Sequence, residues 1–270
     1  HGGVDTVTFT GSVATGQSVM RAAADEVTPV TLELGGKNPA VVYEDADVSE
    51  AVEWIATAIF TNAGQVCSAA DRALVHESVY DDFVAELVDV AESYEIGPGD
   101  EDPDLGPLNS AEHLERVANY IRTGREEGAT IAAGGEVLDR PGNFVEPTVF
   151  ADVDNDMRVA QEEIFGPVVV VIPFGDGDDP VEIANDVDYG LTAGVFTNDV
   201  RRALSAVRDI EAGNVYVNKW FGDTTQTPFG GYKHSGMGRE KGLEALDSYL
   251  QTKNVAINLE RSSGGDLPGA

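Results

Sequence analysis

The sequence has a single cysteine and lacks long apolar runs, and these two shortages exclude an internal disulfide and a membrane-spanning helix. Cys67 is its single cysteine among 270 residues, so no internal disulfide can form, and the thiol is either an inert packed side chain or a reactive one. No run approaches the roughly 20 apolar residues that a membrane helix requires, and the longest, residues 168–172, is predicted to be a buried strand. No secretory signal is visible. We therefore expect a soluble, reduced, cytoplasmic protein with no membrane partner.

Basic residues are also scarce. Lys and Arg number 17 against 48 Asp and Glu, which gives a net charge of −31. The acidic residues are spread along the chain, which excludes a localised acidic tail. Such a surface repels a phosphate backbone, so no nucleic-acid partner is expected. The remaining interpretation is an acidic, solvated surface that stays soluble at high ionic strength, where screening suppresses self-repulsion. The composition therefore predicts a halophilic source.

Hydrophobic periodicity predicts strands that alternate with helices, which is typical of a parallel-type α/β architecture. Strands are predicted near 6–9, 30–34, 39–43, 72–76, 129–133, 144–150, 168–173, 193–197, 214–218 and 254–259. Helices are predicted near 15–25, 179–187, 199–209 and 239–250, with others after Asp47, His76 and Ser110. Asp47 and Glu50 form a capping signal for the second helix. Gly64 is a fitting stop, so Cys67 is expected in the turn just past a firmly packed helix.

Five motifs occur in a fixed order along the chain, and together they resemble the aldehyde dehydrogenase superfamily. They are Phe9-Thr10-Gly11-Ser12 with Thr15 and Gly16, the Leu-Glu-Leu-Gly-Gly-Lys-Asn-Pro stretch at 32–39, Asn62-x-Gly64-Gln65-x-Cys67, and the segments 161–167 and 228–240. The 34-residue step from Glu33 to Cys67 also agrees with the family. The resemblance covers nearly the whole chain.

The resemblance implies a domain organisation. Residues 1–35 are expected to be the end of a Rossmann-type NAD(P)-binding domain, and residues 36–235 an α/β catalytic domain. Residues 236–261 would form a return segment with a C-terminal oligomerisation strand, followed by a disordered tail at 262–270. The chain begins at His1 rather than Met and is expected to lack the N-terminal part of the cofactor domain. A homo-oligomer, dimer or tetramer, is expected because an unpaired apolar edge strand is a liability in a monomer.

By resemblance, Cys67 is the nucleophile and Glu33 the general base of an enzyme that oxidises an aldehyde to a carboxylic acid. A thiolate suits the first step, because it attacks the carbonyl to give a thiohemiacetal that can expel hydride. The thioester that remains must be hydrolysed, and a carboxylate can activate the water. The family's oxyanion donors are the cysteine's own N–H and an asparagine upstream of the Gly11 motif, and this second donor is missing here.

The cofactor implied by the resemblance is NAD or NADP. A glycine at a strand-to-helix turn permits close approach of a pyrophosphate, and a helix N-terminus favours anions. The positions that separate NAD from NADP would lie before His1, so both cofactors stay open. The expected cofactor-binding residues are Gly11, Ser12, Gly16, Leu34, Glu163 and Phe165. For Phe165, ordinary core packing is an equal alternative.

Other residues have simpler interpretations. Asn62 is expected to be structural, and Lys37 and Lys233 structural or salt-bridging, since nothing in the sequence around them marks a desolvated amine. Aspartates at 152, 154 and 156 imitate a calcium loop, but Met157 stands where the sharp turn needs glycine. No metal site is expected. Trp220 and Phe221 either line an aldehyde tunnel or pack in the core.

Two alternatives to the oxidoreductase remain. One is a catalytically incompetent fragment that retains only folding and assembly surfaces, since an oxyanion donor and much of the adenosine site would lie upstream. The other, narrower, is esterase activity of the same thiol without a cofactor.

Overall fold

The structure, a computed structural model, describes residues 1–222 and 224–258. Its strands are β1 (Val7–Thr10), β2 (Val30–Glu33), β3 (Pro39–Val42), β4 (Arg72–His76), β5 (Thr130–Ala133), β6 (Thr148–Ala151), β7 (Val168–Phe174), β8 (Tyr189–Gly190), β9 (Thr192–Phe196), β10 (Asn214–Val217), β11 (Tyr232–Lys233) and β12 (Gly236–Met237). Its α-helices are α1 (Val13–Ala24), α2 (Val48–Phe60), α3 (Glu77–Ser93), α4 (Ala111–Glu127), α5 (Arg158–Gln161), α6 (Pro180–Asn185), α7 (Val200–Asp209) and α8 (Glu244–Asp247). Every helix in the described residues is too short or too polar to cross a lipid bilayer.

The largest element is a seven-stranded sheet in the order β10-β9-β3-β4-β7-β6-β5. All neighbouring pairs are parallel except β5 with β6. The central strands β3 and β4 are buried along their whole length, as is the valine run of β7. Continuous burial of this kind is expected where a parallel sheet is covered on both faces. The predicted α/β fold class is confirmed.

A second, three-stranded sheet carries the Gly11 motif and Glu33. β1 pairs in parallel with β2, which places Thr10 opposite Glu33. β12 returns from the far end of the chain and pairs antiparallel with β2, with Gly236 opposite Glu33. The chain then crosses from β2 to β3 in five residues, so the ends of both sheets meet beside Glu33.

Helix α2 begins as predicted. Asp47 accepts a hydrogen bond from the Glu50 backbone N–H at 3.1 Å, and the apolar stripe through Ala51, Ile55 and Ile59 is fully buried. The prediction that Gly64 stops the helix is wrong by one turn, because α2 ends at Phe60 and a 3-10 turn follows over Thr61–Gly64.

The C-terminal predictions need correction. The helix predicted at 239–250 is reduced to α8, four residues long. The backbone at Lys241 and Gly242 is left-handed, with φ of 55° and 60°, which interrupts a right-handed helix. Leu243, Leu246 and Leu250 are exposed, so these three side chains bury little apolar surface that could stabilise further turns.

The strand predicted at 254–259 is also absent from its described part. Residues 254–258 lie in no strand, and Val255 and Ile257 are exposed. Among the described residues of one chain no strand pairs with this segment, and an isolated strand is not stable in water. Leu259 and the tail predicted at 262–270 lie outside the described residues. Elsewhere the predicted bounds are met within a few residues, although the strand predicted at 144–150 begins only at Thr148, after Pro147.

Candidate active site

A cavity of about 500 Å³ opens where the ends of β1 and β2 face the Cys67 turn and the start of α4. It brings together residues from five separate parts of the sequence. Its lining consists of Thr10, Gly11, Ser12, Leu34, Gly35, Gln65, Val66, Cys67, His113, Arg116, Glu163 and Phe165. The cavity therefore contains one predicted catalytic residue, Cys67, and five of the six predicted cofactor-binding residues.

The turn before Cys67 is held by backbone geometry and by Gln65. Asn62 has a left-handed backbone, with φ of 53°, and its side-chain amide donates to the Gln65 carbonyl at 3.0 Å. The Gln65 side chain returns a bond to the Asn62 carbonyl and accepts one from the Asn109 N–H. Asn62 is thus structural, as predicted, and Gln65 ties the turn to the segment that leads into α4.

Gly64 is required here for two reasons. Its φ is 69°, a value that favours glycine. A Cβ built at Gly64 would also lie 2.0 Å from the Gly166 carbonyl oxygen. The Cys67 turn is therefore packed directly against the segment that carries Glu163 and Phe165.

The environment of Cys67 favours its neutral thiol. Burial raises its pKa to about 11, and the nearby carboxylates of Glu163 and Glu33 act in the same direction. The backbone N–H groups of Cys67 and Ser68 oppose this effect and lower the pKa. In this conformation the thiol is protonated at neutral pH, so nucleophilic attack requires transfer of its proton to a base.

Glu33 is buried, with 3% of its surface exposed, but it does not line the cavity. A Cβ built at Gly230 would lie 2.8 Å from Glu33 Oε1, so the carboxyl group lies against the 228–240 loop. Neither oxygen has a hydrogen-bond partner among the described residues. Burial raises its pKa to about 8, the charge of Glu240 adds to this, and Arg239 and Lys241 partly offset it. Contact with the cavity would require rotation of the side chain away from Gly230.

Glu163 lies in the cavity wall. Its Oε1 accepts a hydrogen bond from the Gly36 backbone N–H at 3.1 Å. A Cβ built at Gly35 would lie 2.2 Å from Oε2, so the carboxylate needs a glycine at that position. Burial raises the pKa of Glu163 to about 7. The segment that imitates a calcium loop therefore uses Glu163 for a backbone contact. Among the described residues no group of three or more His, Cys, Asp or Glu side chains is arranged to hold a metal ion.

The Gly11 motif forms the strand-to-helix turn that was predicted. Ser12 is the N-cap of α1, and its hydroxyl accepts from the Thr15 N–H at 3.3 Å. Gly16 does not line the cavity. It is buried beneath it, where a Cβ would lie 2.5 Å from Leu34 Cδ2. Gly16 therefore gives Leu34 room in the cavity wall without reaching the cavity itself.

The interpretation of Lys37 as an ordinary structural lysine is wrong in one respect. Its side chain is only 1% exposed, and Nζ has no hydrogen-bond partner among the described residues. Burial lowers its pKa to about 8. Lys37 is a desolvated amine, although it does not line the cavity. Lys233, in contrast, forms the predicted kind of ion pair, with Glu211 at 2.7 Å.

Trp220 is a core residue. It is fully buried, and its indole N–H donates to the Ser68 carbonyl at 2.8 Å. Phe221 packs partly buried against the same core. Neither side chain lines the cavity beside Cys67, so the core alternative describes both.

Sequence reasoning missed two residues of α4. His113 Nε2 lies 2.6 Å from the Phe165 carbonyl oxygen, and Arg116 donates to the Glu163 carbonyl at 2.9 Å. Both residues line the cavity. The available signal was their i, i+3 spacing, which places two polar side chains on one face of the helix that Ser110 caps. No pattern in the sequence indicates which segment that face contacts.

Comparison with known proteins supports the resemblance. A model of the aldehyde dehydrogenase family matches residues 1–255. A mitochondrial aldehyde dehydrogenase of Leishmania tarentolae is 47% identical over 257 residues, which make up 94% of this chain and 52% of that protein. An alpha-ketoglutarate semialdehyde dehydrogenase of Haloferax volcanii is 49% identical over 260 residues, covering 94% of this chain and 54% of that protein.

Solved structures agree with this match. An aldehyde dehydrogenase from Bacillus cereus, solved as a complex with NAD⁺, is similar to this chain with a TM-score of 0.93 at 46% identity. The match covers 96% of this chain and 53% of that one. The chain thus spans about half the length of the relatives that it matches.

Proposed function

The chain belongs to the aldehyde dehydrogenase family, and from this premise we propose that the protein containing it oxidises an aldehyde to a carboxylic acid with hydride transfer to NAD⁺ or NADP⁺. One observation carries the proposal. Cys67 shares a single cavity with Gly11, Ser12, Glu163 and Phe165, although these residues come from three distant parts of the sequence. This shared cavity supports the assignment of Cys67 as the nucleophile beside a cofactor site.

Cys67 performs the first step. After the thiol proton passes to water, Sγ attacks the aldehyde carbon, and the carbonyl oxygen becomes the oxyanion of a thiohemiacetal. The backbone N–H of Cys67 is the donor within this chain that would stabilise the oxyanion. Collapse of the adduct expels the hydride and leaves a thioester on Sγ. The nicotinamide, when bound, supplies the acceptor for that hydride.

Glu33 performs the second step. It removes a proton from the water that attacks the thioester, and Cys67 leaves as a thiolate with the carboxylic acid as product. Because Glu33 lies against Gly230, this role needs a rotation that brings its carboxylate into the cavity. The pKa of Glu33, about 8, lies close to the near-neutral value that suits a general base, which acts in its ionised form.

The residues around the cavity fit a dinucleotide. The N-terminus of α1 offers backbone N–H groups beside Gly11 and Ser12, which suits a pyrophosphate. Glu163 offers carboxylate oxygens to ribose hydroxyl groups, and the glycine at 35 leaves them the necessary space. Phe165 and Leu34 supply apolar wall. We assign these residues to cofactor binding, with Gly16 acting through Leu34.

The domain organisation follows the two sheets. We propose that residues 1–35 belong to the cofactor domain, residues 36–235 to the catalytic domain, and residues 236–261 to a return segment with an assembly strand. The pairing of β12 with β2 supports the return. Exposed Val255 and Ile257 support homo-oligomerisation through this segment. Light scattering should give a mass above that of the monomer, and Val255→Asp with Ile257→Asp should lower it; a monomeric parent protein would contradict the assignment.

The mechanism is tested with the variants Cys67→Ala and Glu33→Gln, made in the whole polypeptide that contains residues 1–270. With an aldehyde and NAD⁺ or NADP⁺, Cys67→Ala should form no reduced nicotinamide. Glu33→Gln should give a burst of about one equivalent per active site and then stall, because the thioester is not hydrolysed. Steady turnover of Glu33→Gln at the parent rate would show that another group is the base.

The rival hypothesis is a catalytically incompetent fragment, and the coverage of about half of each relative favours considering it. The same assay separates the two. A parent protein that is folded, binds neither cofactor and forms no reduced nicotinamide with any aldehyde would support the fragment hypothesis. A Cys67-dependent burst would reject it.

A further inference from the structure

Asn38 lies directly behind the Cys67 turn, five residues after Glu33. Its side chain is 1% exposed and fully engaged. Nδ2 donates to the Cys67 carbonyl at 2.9 Å and the Ala69 carbonyl at 2.8 Å, and lies 3.2 Å from Asp71 Oδ2. Oδ1 accepts from the Thr192 backbone N–H at 3.0 Å. One buried amide therefore connects the nucleophile's own backbone to strand β9.

The bond to the Cys67 carbonyl has a consequence at the thiol. The Cys67 C=O and the Ser68 N–H belong to one planar peptide group, so a fixed oxygen also fixes the direction of the N–H. That Ser68 N–H, together with the Cys67 N–H, acts on the Cys67 thiol and lowers its pKa. The next carbonyl, that of Ser68, is held by the Trp220 indole.

Glycine contributes to the same arrangement. A Cβ built at Gly36 would lie 2.4 Å from the Cys67 carbonyl oxygen, so this oxygen is confined between Gly36 and the Asn38 amide. The Gly36 N–H meanwhile binds Glu163. The segment 36–38 thus holds both the nucleophile's peptide and the carboxylate opposite it.

We propose that Asn38 is a positioning residue for the nucleophile: by holding the Cys67 carbonyl oxygen it fixes the Cys67–Ser68 peptide, and with it the direction of the Ser68 N–H beside Cys67 Sγ. The inference rests on the proposed role of Cys67 and deepens it. Without the amide, the peptide can rotate, and the Ser68 N–H then turns away from the developing thiolate. Asn38 touches neither the cavity nor the thiol and acts only through this peptide.

The test uses the reactivity of Cys67, the single cysteine among these 270 residues, with Cys67→Ala as the blank that reports any other reactive group. The rate of alkylation by iodoacetamide is measured against pH in the parent, Asn38→Ala and Asn38→Ser. Loss of N–H stabilisation should move the profile upward by about one pH unit, which is about a tenfold lower rate near pH 8. Alanine removes all hydrogen bonds of the Asn38 amide. Serine keeps a hydroxyl group, but this shorter side chain cannot reach the carbonyls of Cys67 and Ala69 together.

Thr192→Val is the matched control. Thr192 lies beside Asn38 and gives it only a backbone N–H, which valine retains. Its hydroxyl has no hydrogen-bond partner among the described residues. Its profile should coincide with the parent's, so a shift seen with Thr192→Val as well would assign the effect to general disturbance of the core and overturn the proposal.

Two further outcomes decide the matter. If Asn38→Ser or Asn38→Ala is folded and its alkylation profile matches that of the parent, the proposal is overturned. It is also overturned if neither variant unfolds cooperatively, because Asn38 would then be a general structural residue. Alkylation needs neither aldehyde nor cofactor, so this result is independent of whether the protein oxidises aldehydes. In an active enzyme, the shift should appear in the burst rate, with KM for the cofactor unchanged.

Discussion

Three ionisable side chains meet around the Cys67 turn, and burial drives each of them towards its uncharged form. The pKa rises to about 7 for Glu163, about 8 for Glu33 and about 11 for Cys67. The two carboxylates also raise the pKa of the thiol. On raising the pH, the two carboxyl groups therefore ionise before the thiol. Catalysis that needs ionised Glu33 should accelerate as pH rises through about 8.

The Glu33→Gln variant tests whether the buried Glu33 carboxyl makes the free energy of unfolding depend on pH. The folded-state pKa lies above the unfolded value, so the favourable contribution is present below the unfolded pKa of about 4.5 and is lost as pH rises through about 8. The parent should lose on the order of 4 kcal/mol more than Glu33→Gln between about pH 5 and pH 9. Urea unfolding at both pH values provides the measurement.

Glu240→Gln is the companion variant, because the charge of Glu240 is the second cause of the raised pKa of Glu33. The free energy of unfolding of this variant should still fall as the pH rises, but the fall should end at a lower pH than in the parent. Parallel pH–stability curves for the parent and Glu33→Gln would contradict the burial of an unpaired carboxyl.

At the scale of the element, the 3-10 turn Thr61–Gly64 joins the packed helix α2 to the nucleophile. Asn62 and Ala63 have left-handed backbones, a conformation that costs about 1 kcal/mol or more per residue outside glycine. The structure offsets this strain with the reciprocal Asn62–Gln65 bonds and the contact of Gly64 with Gly166. Because the turn and the Glu163 segment share that contact, displacement of one moves the other.

Gly64→Ala should therefore be among the costly substitutions of this chain. The added methyl meets the Gly166 carbonyl at 2.0 Å and occupies a backbone with positive φ. Overpacking and strain together predict a loss of about 3 kcal/mol in the free energy of unfolding. Gly106→Ala is the control, since its Cβ would have no atom within 4 Å, and it should change stability by less than about 0.5 kcal/mol. Equal stabilities of the two variants would mean that the turn is not packed as described.

At the scale of the whole molecule, the net charge of −31 is the dominant electrostatic feature. The basic residues in surface ion pairs, such as Arg202 with Glu44 and Asp45 and Arg125 with Glu136, are already counted in this balance, so the remaining 31 negative charges repel one another. Screening at about 1 M salt shortens the range of repulsion to about 3 Å, compared with about 10 Å at 0.1 M. Stability should consequently depend on ionic strength.

Thermal unfolding in potassium chloride tests the predicted halophilic character. The Tm should rise by several degrees between about 0.1 M and 1 M salt, since each kcal/mol of stabilisation corresponds to about 2–4 °C in a domain of this order of size. Sucrose at matched osmolality is the control, because it stabilises without screening charge. A Tm that falls with salt, or rises equally in sucrose, would refute the screening interpretation.

The sequence by itself determined the family and the α/β class, and it named half of the residues that line the cavity, because ordered motifs and periodicity are local properties of the chain. Asp47 and Ser110 were predicted to begin helices, and both are N-caps. Cys67 was predicted in the turn just beyond α2, and it lies there. These features depend on residues within a few positions of one another.

Tertiary structure alone decided which groups lose contact with water and which segments touch. Lys37 and Glu33 are buried by segments that are distant from them in sequence. Residues of α4 likewise bond to the carbonyls of Glu163 and Phe165, and Asn38 bonds to the Cys67 carbonyl. The C-terminal helix and strand were predicted from local pattern but do not form at their expected length, because apolar side chains stabilise an element only when another surface covers them. Desolvation and long-range contact follow from packing, and local pattern does not contain them.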